Sequence, residues 1–147
     1  MLQDFSELLS EFNAAGVRYL LVGGHAMAVH AIPRATKDLD LWIDATPTNA
    51  QRVYAALARF GAPLDAIDVD DFAAEGFGFQ IGVAPNRIDV LTSISGVTFR
   101  SAWPSRVAAR FLGEPVFVIG RRHLIKNKQA VGRPQDLVDV ELLRRTR

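Results

Sequence analysis

The stretch of sequence that decides the fold lies at residues 38–43 and reads Asp-Leu-Asp-Leu-Trp-Ile. Its alternation predicts a β-strand with Asp38, Asp40 and Trp42 on one face. The bases of the two aspartates then stand about 6–7 Å apart. Such a pair is costly inside a protein, because like charges repel and a buried carboxylate loses its hydration. One interpretation is a solvent-facing edge strand, and the other is a site that binds cations.

A third carboxylate, Asp89, lies in a second run of strand-forming residues, Arg-Ile-Asp-Val-Leu at 87–91. If Asp89 meets Asp38 and Asp40, the three supply hard oxygen ligands that suit Mg²⁺ or Mn²⁺. Two such ions about 3.5–4 Å apart can stabilise the attacking and the leaving oxygen of a phosphoryl-type displacement. The third aspartate therefore favours the cation site over the edge strand.

A pair of glycines, Gly23-Gly24, separates a predicted apolar strand at 18–22 from a predicted small-residue helix at 25–32. Such a turn lets backbone N–H groups approach a phosphate, with the helix N-terminus behind them. Glycines also occur in strand-to-helix turns for steric reasons alone. The stretch is not a dinucleotide-binding fingerprint, and it has no Walker-type lysine.

The rest of the chain reads as short helices and strands. Helices are predicted at about 2–15, 47–60, 121–131 and 134–145, and strands at about 77–81, 87–91, 108–112 and 115–119. The first two of these strands are predicted to form one hairpin and the last two a second, and residues 92–107 show no sustained period. The sequence therefore predicts a single domain over residues 1–147 of mixed α/β (α+β) class. Its small mixed β-sheet is flanked by helices, and the chain ends in a helical pair.

Composition narrows the possible chemistry. The 147 residues are 49% hydrophobic and 22% charged, with a formal net charge of +1, which is typical of a globular domain. With no cysteine, the chain cannot form disulfides, iron–sulfur clusters, cysteine-ligated zinc or a thiol nucleophile. No apolar run approaches the roughly 18 residues of a membrane span, and no secretory signal is visible. We therefore expect a cytoplasmic protein with no membrane partner.

In order, these features are an apolar strand, Gly23-Gly24, thirteen intervening residues, the double-aspartate strand and a later strand carrying Asp89. This order resembles the DNA polymerase β-like nucleotidyltransferase superfamily. Residues 20–43 look most like the minimal AbiEii-type and MNT-type nucleotidyltransferases of toxin–antitoxin systems, and they are also similar to small antibiotic nucleotidyltransferases. The C-terminal Lys128 and the Arg133-x-x-Asp136 segment resemble AbiEii-like members. The resemblance spans about residues 17–140.

The resemblance implies a role for each matching residue of the core. Gly23 and Gly24 would hold the β- and γ-phosphates of a nucleoside triphosphate (NTP). Asp38 and Asp40 would ligate the metal ions. Asp89 would complete the metal site and act as general base, or orient the acceptor hydroxyl.

It also implies roles outside that core. Lys128 would contact phosphate or acceptor, with Asp136 positioning it. Many members have serine after the first glycine, whereas Gly24 supplies no hydroxyl here. Thr36 or Lys37 would replace that side-chain contact to the nucleotide.

The function so implied is metal-dependent transfer of a nucleoside monophosphate (NMP) from an NTP to an acceptor hydroxyl. The acceptor is an RNA end such as that of tRNA, a protein, or a small molecule, and the sequence leaves the three open. The resemblance also implies a place in a toxin–antitoxin pair with a cognate toxin or antitoxin protein. The alternative is a non-catalytic, antitoxin-like binding module that neutralises a partner protein. An intermediate case is an antitoxin that inactivates its partner by nucleotidylating it.

Overall fold

The structure, a computed structural model, describes residues 2–32, 38–83 and 86–146. Its helices are α1 (Leu2–Ala14), α2 (Gly23–His30), α3 (Pro47–Phe60), α4 (Phe99–Ala102), α5 (Arg121–Val131) and α6 (Pro134–Arg145), with 3-10 turns at Val69–Ala73 and Trp103–Ser105. Its strands are β1 (Tyr19–Val22), β2 (Leu39–Ile43), β3 (Gly78–Ile81), β4 (Ile88–Leu91), β5 (Val107–Phe111) and β6 (Glu114–Val118).

The six strands form one mixed sheet in the order β3-β4-β2-β1-β6-β5. Two neighbouring pairs are parallel, β2 with β4 and β1 with β6. The other three are antiparallel, and two of these are the hairpins β3–β4 and β5–β6 that the sequence predicts. The predicted α/β class, with a small mixed sheet and a C-terminal helical pair, is confirmed.

Local capping signals set the bounds of several helices. The Thr46 side chain accepts a hydrogen bond from the Asn49 backbone N–H at 3.2 Å, and Pro47 begins α3. Gly61 ends that helix with a φ of 97°, a left-handed value that costs glycine nothing. Gly132 ends α5 in the same way. The predicted bounds of α3, α5 and α6 are therefore confirmed.

The core consists of apolar side chains from the helices and the central strands. In α1, Phe5, Leu8, Leu9 and Phe12 are all buried, as their helical spacing predicts. In β1 and β2, all residues except Asp40 are buried. The one polar position of these two strands is therefore a carboxylate in an apolar layer.

Two details differ from the sequence-based prediction. Strand β2 begins at Leu39, so Asp38 immediately precedes it, and α2 begins at Gly23 rather than at His25. Trp42 is fully buried although it alternates with the aspartates, because its ring packs edge-on against Phe99 at 5.1 Å between centroids. Phe99 belongs to α4, inside the stretch where the sequence shows no period. Among the described residues, no helix combines the length and the apolar character needed to cross a bilayer.

Candidate active site

Strand register brings the second and third predicted aspartates together. Strands β2 and β4 are parallel neighbours, and Asp40 and Asp89 are directly paired residues. On its other side, Asp40 pairs with Val22, the last residue of β1. Side chains paired in this way project from the same face. The carboxylates therefore lie beside the end of β1, where the glycine pair begins.

Gly23 lies directly against the Asp40 carboxylate. Its φ is +70°, in the left-handed region, and a Cβ on this residue would collide with Oδ2 of Asp40. Only glycine meets both conditions without strain. Gly24 follows in the first turn of α2, and no side chain caps the N-terminus of that helix. The backbone N–H groups of this turn thus open beside the carboxylates.

The carboxyl groups of Asp40 and Asp89 share a hydrogen bond. Burial, the negative charges of Asp89 and Asp38 and this hydrogen bond together raise the pKa of Asp40 from 3.8 to about 7, and the positive charge of Arg87 acts in the opposite direction. Two carboxylates held this closely cannot both ionise easily without a compensating charge. Without a bound cation, a large share of Asp40 therefore carries a proton near neutral pH.

Arg87 contacts both Asp38 and Asp89. Its Nε donates to Oδ2 of Asp89 at 3.1 Å, and its Nη2 lies 3.6 Å from Oδ2 of Asp38. Its backbone N–H also donates to Oδ1 of Asp38 at 3.2 Å. Asp38, Asp40, Asp89 and Arg87 are called the aspartate cluster below. The sequence analysis missed Arg87, although its position two residues before Asp89 places both on one strand face.

The aspartate cluster fits a divalent cation in the chemistry of its donors. Its carboxylates are hard oxygen ligands, and burial together with the like charges of Asp89 and Asp38 raises the pKa of Asp40, an effect that a bound cation would oppose. Among residues 2–32, 38–83 and 86–146, however, no three His, Cys, Asp or Glu side chains are already arranged around a common ion position. Arg87 instead bonds two of the three carboxylates. Metal binding at this site is therefore a proposal that requires side-chain movement.

His25 lines the glycine turn from the side of α2. Its ring packs edge-on against Phe111 at 4.7 Å and Phe5 at 6.3 Å between centroids. Burial lowers its pKa, and the nearby charge of Asp38 acts in the opposite direction. The buried Nε2 has no hydrogen-bond partner among the described residues. His25 thus lies beside the site as a largely neutral aromatic ring.

Lys128 and Asp136 lie together between α5 and α6. The Lys128 ammonium is 2.8 Å from Oδ2 of Asp139 and 3.7 Å from Oδ1 of Asp136, and all three residues are buried. Arg133 pairs with Asp136 at 2.7 Å and holds its pKa below the usual range. These four residues are called the α5–α6 ion cluster.

The predicted contact between Lys128 and Asp136 is present, but the shorter bond goes to Asp139, to which the sequence analysis assigned no role. Within the described part of the chain, the Lys128 ammonium makes no ion pair with the aspartate cluster. Its predicted contact with phosphate or acceptor stays a prediction. Thr36 and Lys37 lie outside the described residues, and their predicted nucleotide contacts also stay predictions.

The fold is similar to that of solved nucleotidyltransferase structures. The lincosamide antibiotic adenylyltransferase LnuA, bound to lincomycin, matches with a TM-score of 0.61 and 13% identity, over 97% of this chain and 95% of its own. ANT(2'')-Ia in complex with adenylyl-2''-tobramycin matches with a TM-score of 0.61 and 15% identity, over 97% of this chain and 86% of its own. A proposed nucleotidyltransferase from Thermotoga maritima matches with a TM-score of 0.60 and 11% identity, over 98% of this chain and 90% of its own.

These likenesses show a shared fold. No family model matches the sequence, and no curated protein sequence matches it. The chain therefore has the nucleotidyltransferase fold, and its chemistry has to be argued from its own site.

Proposed function

We propose that the protein is a metal-dependent nucleotidyltransferase that moves NMP from an NTP to an acceptor hydroxyl. The observation that carries this proposal is the contact of Gly23 with Asp40, where a side chain on the glycine would collide with the carboxylate. This contact supports the proposal because the glycine turn, which we propose binds phosphate, lies against a member of the aspartate cluster. The shared fold with LnuA and ANT(2'')-Ia supports the same reaction class.

In this proposal, the backbone N–H groups of Gly23 and Gly24 bind the β- and γ-phosphates at the start of α2. Asp38, Asp40 and Asp89 hold Mg²⁺ or Mn²⁺. The ion, when bound, neutralises the charge that develops on the phosphate oxygens in the transition state. A cation also replaces the proton that Asp40 otherwise keeps, because it favours both carboxylates in their charged form.

The transfer forms one P–O bond and breaks another. The acceptor oxygen attacks the α-phosphorus, the bond from that phosphorus to the oxygen bridging to the β-phosphate breaks, and pyrophosphate leaves with the bonding electrons. The proton of the acceptor hydroxyl passes to Asp89, which is buried beside Asp40 at the end of the glycine turn. The His25 ring, which follows the glycine pair, packs against Phe111.

A small hydroxylated molecule is the acceptor class to test first. LnuA, which is bound to lincomycin, aligns over 95% of its length with 97% of this chain, so a chain of almost this extent accommodates such a ligand. RNA ends and protein hydroxyls form the other arms of the same screen. An antitoxin that inactivates its partner by nucleotidylating it would require the protein arm to yield one labelled partner.

The experiment is transfer of label from each α-labelled NTP to small-molecule, RNA and protein acceptors with Mg²⁺ present. We expect transfer by the wild type and none by Asp38→Asn combined with Asp40→Asn. The matched control is Asp65→Asn combined with Asp70→Asn, which removes two exposed carboxylates outside the cluster. Transfer that survives the first double substitution contradicts the proposal. A stable partner complex that forms without any transfer, and survives that substitution, would support the binding-module alternative instead.

A further inference from the structure

The aspartate cluster contains a cation of its own, and its contacts are more extensive than an ordinary surface ion pair. Arg87 reaches Asp89 through Nε at 3.1 Å, and Asp38 through both Nη2 at 3.6 Å and its backbone N–H at 3.2 Å. One guanidinium thereby joins two carboxylates that come from different parts of the chain. Removing it would leave three carboxylates facing one another.

The oxygens that Arg87 engages are the ones a metal ion would need. Its contacts involve Oδ2 of Asp89 and both oxygens of Asp38. A guanidinium and a divalent cation cannot both occupy the space between these two carboxylates. This competition agrees with the finding that no three described carboxylate or imidazole groups already surround a common ion position.

The Arg87 side chain has solvent on one side, into which it can move. It is 34% exposed, whereas Asp89, its closest partner, is 10% exposed at the side chain. A displaced arginine at the rim of a phosphate site is well suited to bind phosphate oxygens, because its planar fork matches their geometry. An incoming triphosphate would therefore stabilise the displaced position.

We propose that Arg87 is a positioning residue that takes the place of the divalent cation between Asp38 and Asp89 and yields to it when the triphosphate binds. The inference rests on the proposed function of the same site. In the absence of nucleotide, Arg87 holds the carboxylates in place and weakens metal binding. With nucleotide, it moves to the phosphates, so that metal and NTP bind cooperatively.

The test is Mn²⁺ binding to the full chain by isothermal titration calorimetry, with and without a non-hydrolysable NTP analogue. Arg87→Met keeps the aliphatic length and removes the charge. We expect it to bind Mn²⁺ alone about fivefold more tightly than the wild type, the scale of losing one partly exposed competing ion pair. The gain in Mn²⁺ affinity produced by the analogue should be about fivefold smaller in Arg87→Met. Arg110→Met, which removes an exposed arginine from β5, should match the wild type.

Unchanged or weaker Mn²⁺ binding by Arg87→Met, or an undiminished effect of the nucleotide analogue, overturns the inference. If Arg87→Met does not fold by circular dichroism, Arg87→Lys decides. Lysine keeps the charge but lacks the planar fork through which Arg87 contacts both carboxylates, so Mn²⁺ affinity should lie above that of the wild type. Asp40→Asn separates the two proposals. If Asp40→Asn still binds Mn²⁺, the metal site itself is contradicted. If Asp40→Asn loses Mn²⁺ binding and Arg87→Met binds Mn²⁺ as the wild type does, only the role of Arg87 is contradicted.

Discussion

Two groups of carboxylates, each with at least one buried member, are neutralised to different degrees in this molecule. The α5–α6 ion cluster sets two carboxylates, Asp136 and Asp139, against two cations, Lys128 and Arg133. The aspartate cluster sets three carboxylates against the single guanidinium of Arg87. The first is balanced by its own residues. In the aspartate cluster, burial and the neighbouring carboxylates raise the pKa of Asp40 to about 7, and the carboxylate charge is balanced only when a further cation binds.

The difference separates a structural role from a ligand-binding one. A buried ion pair with matched partners is strongly destabilised when one partner is removed, because the other charge is left buried and unpaired. A cluster with excess like charge has the opposite response, because removing one charge relieves repulsion. Stability and activity should therefore respond differently to substitutions in the two clusters.

The largest effect is expected on catalysis from Asp40→Asn. The rate of NMP transfer should fall about a thousandfold, because metal stabilisation of the transition state is worth several kcal/mol. The free energy of unfolding at pH 8 should not fall, because a neutral amide replaces a carboxyl group whose charged form is disfavoured. Initial rates with α-labelled NTP and urea unfolding measure the two quantities. A large fall in the free energy of unfolding would show that the aspartate cluster stabilises the fold, and would contradict the difference between the two clusters.

Lys128→Met should have the largest effect on folding. It leaves Asp136 and Asp139 without their shared ammonium, and we expect a loss of about 3–5 kcal/mol in the free energy of unfolding. Exposed Lys126→Met on the same helix is the control and should change it by less than about 0.5 kcal/mol. Urea unfolding at pH 7 measures both. Unchanged stability with lost transfer activity would instead support the phosphate contact that the resemblance implies for Lys128.

Gly23→Ala tests the junction of the glycine turn with the aspartate cluster. We expect a loss of about 2–3 kcal/mol, made up of left-handed backbone strain and the collision with Asp40. Gly61→Ala is the matched control, because its φ is +97° with no neighbouring atom within 4 Å of an added Cβ. It should show only the backbone strain, about 1 kcal/mol. Equal losses in the two variants would show that the contact with Asp40 has no energetic consequence.

The smallest effect is a pH dependence of stability. The pKa of Asp40 is about 7 in the folded protein and 3.8 when unperturbed, so the folded state binds the extra proton. This proton stabilises the folded state fully below about pH 3.8, and the stabilisation is lost as the pH rises through about 7. The wild type should therefore lose about 1–2 kcal/mol relative to Asp40→Asn between pH 4 and pH 8, a value reduced by solvent on the open side of the cluster. Unfolding curves at each pH measure it, and saturating Mg²⁺ should remove the difference.

Much of the fold could be predicted because its signals are local. Thr46, Pro47 and Gly61 mark the two ends of α3, and Gly132 and Pro134 separate α5 from α6. Each signal acts within one helical turn, so the sequence alone carries it. The alternation in residues 38–43 likewise predicts β2, although the strand begins one residue later.

The site could be predicted only in part, because its geometry depends on distant segments. The direct pairing of Asp40 with Asp89 requires β2 and β4 to be parallel neighbours, which no local pattern specifies. Trp42 is buried because Phe99 packs on it from a segment without periodicity. The bridging role of Arg87 depends on Asp38 lying nearby, 49 residues earlier in the chain.

The central claim is that the three aspartates bind a divalent cation beneath a triphosphate held by the glycine turn. Its most direct test is a crystal structure with Mn²⁺ and a non-hydrolysable NTP, with the ion located by its anomalous scattering. We expect an anomalous peak about 2.1 Å from carboxylate oxygens of Asp38 and Asp40, with the β- and γ-phosphates against the N–H groups of Gly23 and Gly24. Nucleotide bound elsewhere, or no peak at the aspartates, would contradict the account.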